Sequence, residues 1–199
     1  MEKNPKNYDV LIIGAGPAGA NAAISYKNLN PNLTVALVDK ATFPRDKSCG
    51  DAIGPGVISA LKRFNNEHIL DGEPQVVSTT LYGPDNIGIQ NYIPEVKNKE
   101  DSIVYVIPRV DLDNRILNLA KDIGVDVYEG HSFVDFESNL DKSINVQIKN
   151  ENENLEFFTK ILIGADGANS RIRKKLNYKS NSDWHKAVSY THLTLPTSG

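Results

Sequence analysis

The feature that most constrains this chain is a glycine-rich turn close to its first residue. A short apolar strand is predicted over Tyr8–Ile13, and it runs directly into Gly14-Ala15-Gly16-Pro17-Ala18-Gly19. This G-x-G-x-x-G spacing between a strand and a helix is typical of the turn that binds a dinucleotide pyrophosphate. The helix N-terminus offers unpaired N–H groups and partial positive charge to such an anion.

Each glycine of the turn has a predicted steric reason. Gly14 lets the chain turn sharply out of the strand, Gly16 lets the backbone approach phosphates, and Gly19 lets helix and strand pack closely. Pro17 suits a first helical turn, where its missing N–H costs nothing. A strand, turn and helix without a ligand is the alternative interpretation of the same motif.

A second apolar strand, predicted over Leu33–Val38, ends in Asp39, twenty residues after Gly19. A carboxylate at that position can bind the hydroxyl pair of a ribose. We therefore count Asp39 and the adjacent Lys40 among the predicted cofactor-binding residues.

Composition narrows the possible partners and compartment. The chain has 199 residues, a net charge of −3 and one cysteine, Cys49. The charge predicts no nucleic-acid partner, and a single cysteine cannot form an internal disulfide. No apolar run approaches the roughly 18 residues needed to span a bilayer, and the first strand leaves no room for a signal peptide before it. We expect a cytoplasmic protein, with peripheral membrane contact left open.

The four histidines have no ligand spacing, so we predict no metal site.

The middle of the chain reads as alternating helices and strands. Helices are predicted over Pro55 to about Phe64 and over Val110 to Ile123, the second ended by Gly124. Residues 75–107 read as strands broken by turns, and further strands follow Gly124.

The last strand predicted returns to the sheet and ends in acidic and glycine residues. Its run Ile161-Leu162-Ile163 is entirely apolar, so we expect it to be buried on both faces of a central parallel sheet. Because ligands bind at the carboxyl ends of such strands, Asp166 is predicted to lie at the same edge as the glycine turn. Asp166 has a second possible role, the capping of the next helix through backbone N–H groups.

Three motifs in order carry a resemblance to a known class of protein. The glycine turn with Asp39, the Ile107-Pro108-Arg109 step into a helix carrying Leu112-Asp113, and Gly164-Ala165-Asp166-Gly167 resemble the FAD-dependent oxidoreductases of the aromatic-hydroxylase fold. The loop from Phe43-Pro44-Arg45 to Cys49-Gly50-Asp51 resembles that of the geranylgeranyl reductase family. That family usually has a Cys-Gly-Gly step, whereas this chain has Asp51 in place of the second glycine.

The resemblance covers roughly Tyr8 to Tyr178 and implies an α/β fold. The implied fold consists of an FAD-binding, Rossmann-like parallel sheet with a three-stranded crossover, plus part of a β-rich substrate domain. The expected segments are 1–74 and 108–178 for the FAD-binding domain, 75–107 for the partial substrate domain, and 179–199 for a tail. From about residue 189 the tail matches nothing in the family. It resembles the non-native residues found at the ends of fragmentary gene predictions. A Gly-Asp motif expected downstream is missing as well, so we expect a truncated, inactive chain.

The resemblance also implies a role for each matched residue. The glycine turn would hold the FAD pyrophosphate, Asp39 the adenosine ribose, Arg45 the phosphate or adenine side, and Arg109 the pyrophosphate and ribityl chain. The backbone near Phe133 would touch adenine, and Asp166 would take part in the pyrophosphate network. The predicted cofactor-binding residues are Gly14, Ala15, Gly16, Pro17, Ala18, Gly19, Asp39, Lys40, Arg45, Cys49, Gly50, Arg109, Phe133, Asp166 and Gly167.

Cys49 has two possible environments. The resemblance places the Cys-Gly step beside the flavin ring, whereas free cysteines are commonly buried and inert. We favour proximity to the flavin without a nucleophilic role. The sequence does not identify which residue is catalytic.

The resemblance favours a reductase of isoprenoid or geranylgeranyl double bonds, with NAD(P)H or another reduced donor and a lipid-like substrate. The alternatives are a flavin-dependent monooxygenase or halogenase of the same fold, and a non-catalytic fragment that only binds nucleotide or does not fold stably. Fold alone does not separate the enzyme classes; only the Cys49 loop favours the reductase.

Overall fold

The computed structural model describes residues 5–47, 49, 51–85, 87–92 and 104–177. Two compact units make up the chain: the first consists of the segments up to Arg45 and from Asp113, and the second includes Asp46–Leu112 between them. Gly50 and the predicted tail, 179–199, lie outside the described residues. The predicted domain boundaries stay predictions.

The described residues form ten strands, four α-helices and one 3-10 turn. In chain order they are β1 (Lys6–Ile13), α1 (Pro17–Leu29), β2 (Val35–Val38), β3 (Ala52–Ile53), α2 (Pro55–Lys62), a 3-10 turn (Glu67–Leu70), β4 (Ser78–Tyr82), β5 (Gly88–Tyr92), β6 (Tyr105–Val106), α3 (Arg109–Asp122), β7 (Asp126–Tyr128), β8 (Ser132–Ser138), β9 (Ile144–Lys149), β10 (Asn154–Gly164) and α4 (Arg171–Lys175).

The first unit is built on one six-stranded sheet with the order β7-β2-β1-β10-β9-β8. Strands β7, β2, β1 and β10 are parallel, and Leu11 of β1 pairs with Ala36 on one side and Leu162 on the other. Strands β8, β9 and β10 form an antiparallel meander that returns the chain to the sheet. The predicted fold class, a parallel sheet with a three-stranded crossover, is confirmed.

The core of this unit lies at the central strands. All four residues of β2 are buried, as are Val10, Leu11 and Ile12 of β1. Helix α1 packs against both strands, and its small buried residues Ala20 and Ala23 allow a close approach. The apolar run of each strand therefore places the strand ends, where the glycine turn lies, on a rigid base.

The prediction that Ile161-Leu162-Ile163 is buried on both faces is wrong. Ile161 is 41% exposed, and Leu162 and Ile163 are half-buried. The parallel pairing of β10 with β1 is as expected, but the pleat sends Ile161 to a face that the described residues cover only in part. An apolar run thus identified the strand without fixing its burial.

Helix α3 is amphipathic and ends as its sequence predicts. Gly124 follows it at φ +84°, and the Val125 amide donates to the Ala120 carbonyl across the helix end. The buried apolar residues of α3 are Leu112, Ile116, Leu117 and Ala120, whereas Ile123, just after its last residue, is exposed. Asp113 is also buried on this helix.

The second unit contains two small antiparallel pairs and helix α2. Strand β3 pairs with β6, and β4 pairs with β5 across the predicted turn that begins at Gly83. Ile58 and Leu61 of α2 are buried, as are Ile69 and Leu70 of the 3-10 turn.

Candidate dinucleotide site

The glycine turn lies where three parallel strands end. The Gly14 amide donates to the Val38 carbonyl at 2.7 Å, and the Ala165 amide donates to the Ile13 carbonyl at 2.7 Å. The ends of β2, β1 and β10 are thus tied to one another at the carboxyl edge of the sheet. This is the edge at which open α/β sheets bind ligands.

Two of the three glycines are required by the chain itself. Gly14 adopts φ +104°, and a Cβ there would stand 2.6 Å from the Ala165 carbonyl carbon. A Cβ at Gly19 would collide with the Gly14 carbonyl oxygen and lie 3.2 Å from the Ala165 Cβ. Both predicted reasons, a sharp turn and close packing, correspond to what the structure shows.

Gly16 differs, because the described chain does not require a glycine there. It has φ −66°, which any residue adopts, and an added Cβ would meet the Arg45 Nη2 at an ordinary 3.4 Å. Gly16 is also the N-cap of α1 and makes no side-chain capping bond. The space above its Cα and the free start of the helix fit a phosphate group of FAD, which a side chain would displace.

Asp39 holds the glycine turn to the loop after β2. Its Oδ2 accepts a hydrogen bond from the Ala15 amide at 2.7 Å, and its Oδ1 accepts one from the Ala41 amide at 2.9 Å. A carboxylate oxygen can accept more than one bond, so Asp39 retains acceptor capacity for a ribose hydroxyl. The sequence predicts that Asp39 binds a ribose. The structure shows that Asp39 also holds the Ala15 and Ala41 amides in place.

Arg45 lies over the start of α1 in the first unit. Its Nη2 is 3.4 Å from the Asp113 Oδ2, and its guanidinium lies 4.8 Å from the centroid of the Phe43 ring. The Arg45 side chain is 18% exposed, whereas the Asp113 side chain is completely buried. The guanidinium fork suits paired contacts with phosphate oxygens.

Glu129 supports the same loop and was missed by sequence reasoning. It accepts hydrogen bonds from the Phe43 amide and the Lys121 ammonium, both at 2.6 Å. Burial alone would raise the pKa of Glu129, but these hydrogen bonds outweigh it and hold the pKa below its ordinary value. No local pattern links Glu129 to Phe43, 86 residues earlier.

Asp113 was likewise not predicted as a site residue, although its position carried a signal. It stands three, four and seven residues before Ile116, Leu117 and Ala120, and so on the buried face of α3. A carboxylate within an apolar stripe requires partners. Arg45 is such a partner.

Asp166 caps the start of α4. Its Oδ2 accepts from the Arg171 amide at 2.6 Å and from the Ile172 amide at 3.4 Å, so the capping role is present. Its Oδ1 is buried and has no hydrogen-bond partner among the described residues. That oxygen could accept a bond from a cofactor hydroxyl or from water, and the predicted cofactor role stays open beside the cap.

The remaining predicted residues of the first unit differ in exposure. Phe133 is buried in the core, and its carbonyl accepts a hydrogen bond from the Arg171 guanidinium at 2.9 Å. Ala15 is buried, Pro17 is half-buried, and Ala18, Lys40 and Gly167 are exposed.

Three predicted residues belong to the second unit. Arg109 opens α3, and its amide donates to the Asp51 Oδ1 at 3.2 Å. Asp51 has φ +55°, a conformation that favours glycine, which explains how a glycine would suit the same position. Cys49 is half-buried, and Gly50 lies outside the described residues.

Within the described residues, neither a metal-binding cluster nor a membrane-spanning helix is present. No group of three or more His, Cys, Asp and Glu side chains is placed to hold a metal ion. Of the helices described, none combines the length and apolar character needed to cross a membrane.

The chain is similar to a known domain family and to curated relatives. Residues 7–193 match the family described as "FAD binding domain". The chain is 30% identical over 92% of its length to the menaquinone reductase of Mycolicibacterium smegmatis, and 30% identical over 85% to the geranylgeranyl diphosphate reductase of Rhodobacter capsulatus. It spans 42% and 40% of these relatives, respectively. The family match extends past residue 189, where the predicted foreign tail begins; that tail stays a prediction.

Solved structures share the fold at lower identity. The myxobacterial chondrochloren halogenase has a TM-score of 0.70 at 24% identity, with 84% of this chain and 39% of that chain covered. The p-nitrophenol 4-monooxygenase of Pseudomonas putida has a TM-score of 0.75 at 15% identity, with 86% and 44% covered.

Proposed function

Because this chain belongs to the FAD binding domain family of oxidoreductases, we propose that the protein it represents is an FAD-dependent reductase of isoprenoid double bonds. The observation that carries the proposal is the 30% identity to two reductases, one of which is named for geranylgeranyl diphosphate. The Cys49 loop and its geranylgeranyl-reductase resemblance favour the same activity. Since the chain spans 42% of the first relative, the activity is proposed for the whole protein and not for the 199 residues alone.

The residues of the first unit would bind the pyrophosphate and adenosine half of FAD. The open space at Gly16 and the N-terminus of α1 would receive the pyrophosphate, with Arg45 supplying a positive charge. Asp39 would accept a ribose hydroxyl while holding the turn through Ala15. When bound, FAD supplies hydride transfer, which the protein directs by orientation and by electrostatics. NAD(P)H or another reduced donor is part of the proposal.

The substrate side of the proposal is a lipid-like alkene. An isoprenoid substrate partitions into membranes, so peripheral membrane contact by an otherwise cytoplasmic protein belongs to the same proposal. No residue is proposed as catalytic.

The test uses the whole protein, purified and scanned for flavin absorbance. Reduced anaerobically and given geranylgeranyl diphosphate, it should yield a product heavier by two hydrogen atoms for each double bond reduced. A colourless protein that binds only nicotinamide would contradict the cofactor assignment. A yellow protein that leaves the alkene unchanged would contradict the substrate.

A flavin-dependent monooxygenase or halogenase is the second candidate, favoured by the fold shared with the two solved structures. At 24% and 15% identity these show the fold alone. Oxygen consumption that depends on an aromatic substrate, without anaerobic alkene reduction, would select this candidate.

A further inference from the structure

We propose that Asp113 is a positioning residue, which orients the Arg45 guanidinium over the first turn of α1 for the diphosphate of the cofactor. The inference rests on the proposed function, because it takes the FAD diphosphate as the ligand. It adds a residue that does not itself touch the cofactor.

The first step of the argument is the cost of the Asp113 position. The side chain is completely buried on an otherwise apolar helix face, beside Ile116 and Leu117. A buried carboxylate is unfavourable unless it is paired and hydrogen-bonded, and an apolar residue would fill such a position with less penalty. Core packing alone does not explain an aspartate here.

The second step is the direction in which Asp113 acts. Its Oδ2 lies 3.4 Å from Arg45 Nη2, the same nitrogen that lies nearest to the space above Gly16. The buried carboxylate therefore holds one end of the guanidinium and leaves the partly exposed fork beside the start of α1. A free arginine would have to lose its side-chain rotamer freedom when the ligand binds.

The third step is that the loop carrying Arg45 is held at a second point. Glu129 binds both the Phe43 amide and Lys121 of α3, and the Phe43 ring lies beneath the Arg45 guanidinium. Helix α3 thus holds the loop through Lys121 and Glu129, and the arginine itself through Asp113. Such support fixes a binding group before its ligand arrives.

The test compares two ligands that differ only in their phosphates. Binding of ADP and of adenosine to the whole protein, freed of flavin, is measured by calorimetry for the parent and for Asp113→Asn. We expect Asp113→Asn to weaken ADP binding about tenfold, the change that one lost charge-assisted contact produces, and adenosine binding less than twofold. A purely structural role would weaken both ligands equally.

A double-variant comparison identifies Arg45 as the group through which Asp113 acts. Arg45→Gln should weaken ADP binding at least as much as Asp113→Asn, and the combined variant no more than Arg45→Gln alone. Asp122→Asn, an exposed aspartate at the end of the same helix, is the matched control and should bind ADP as the parent does. Additive losses in the combined variant would overturn the proposal.

Asp113→Glu covers the case in which Asp113→Asn does not fold. It retains the buried charge and displaces the carboxylate by one methylene, so ADP binding should fall while adenosine binding is kept. A whole parent protein that binds neither FAD nor ADP would contradict the proposed function itself. A parent that binds ADP, with Asp113 variants that bind it equally well, would contradict this inference only.

Discussion

Gly14 and Ala165 lie so close together that a Cβ on Gly14 would stand 2.6 Å from the Ala165 carbonyl carbon. This contact joins the end of β1 to the end of β10, from which Asp166 follows. Gly16, two residues later, has no comparable neighbour in the described chain. The two glycines therefore serve different purposes, and they can be separated by experiment.

Gly14→Ala should destabilise the fold, and Gly16→Ala should chiefly impair FAD binding. At Gly14 an alanine would combine a positive φ with a backbone collision, each costing about 1–3 kcal/mol. At Gly16 the added methyl group meets only an ordinary contact, so stability should change by less than about 1 kcal/mol. Urea unfolding and flavin fluorescence titration measure the two effects. Equal loss of stability in both variants would contradict the distinction.

Asp39→Ala should lower stability even without cofactor. It removes the acceptor for both the Ala15 and Ala41 amides, and two part-buried donors left unpaired cost about 1–3 kcal/mol. Asp39→Asn keeps one acceptor oxygen and should lose less. Glu151→Ala, in an exposed turn, is the control and should stay within about 0.5 kcal/mol of the parent in urea unfolding. If Asp39→Ala leaves the stability of the cofactor-free protein unchanged, Asp39 has a binding role only.

Asp51 should tolerate glycine better than alanine. Its φ of +55° is strained for a residue with a Cβ. Its Oδ1 accepts a hydrogen bond from the Arg109 amide. Asp51→Gly loses the hydrogen bond but relieves the strain, whereas Asp51→Ala loses the bond and keeps the strain. We expect the alanine variant to be less stable by about 1 kcal/mol. Thermal unfolding of the two variants side by side decides the order, and a more stable alanine variant would refute it.

Asp9 should contribute stability that is lost in acid. Hydrogen bonds from Lys160 and from the Thr34 amide and hydroxyl lower the pKa of Asp9 from 3.8 to about 2. Its stabilisation is therefore complete above the unfolded pKa near 3.8 and lost as the pH falls toward 2. Because Lys160 is 79% exposed, the ion pair itself contributes less than about 1 kcal/mol.

The measurement is the melting temperature of the parent and of Asp9→Asn between pH 6 and pH 2. Other carboxylates, Glu129 among them, also have lowered pKa values, so both proteins should lose stability in acid. The difference between them should shrink as the pH falls through this range. A constant difference at every pH would show that Asp9 does not act through its charge.

Local sequence determined the elements that present the site. Spacing alone predicted the strand over Tyr8–Ile13, the glycine turn and the helix that follows it, because the steric needs of Gly14 and Gly19 and the first-turn position of Pro17 are local. The end of α3 at Gly124 was predicted for the same reason. Apolar runs identified β1, β2 and β10 and their place in a parallel sheet.

Tertiary structure decided which distant residues support that site. The Glu129–Phe43 bond joins residues 86 positions apart, and the partner that Asp113 finds in Arg45 depends on how α3 lies against the loop after β2. Burial was decided in the same way: the apolar Ile161 is exposed while the charged Asp113 is buried. Hydrophobic pattern and turn chemistry act over a few residues, whereas charge pairing and burial depend on which elements meet, and that is determined only when the chain packs.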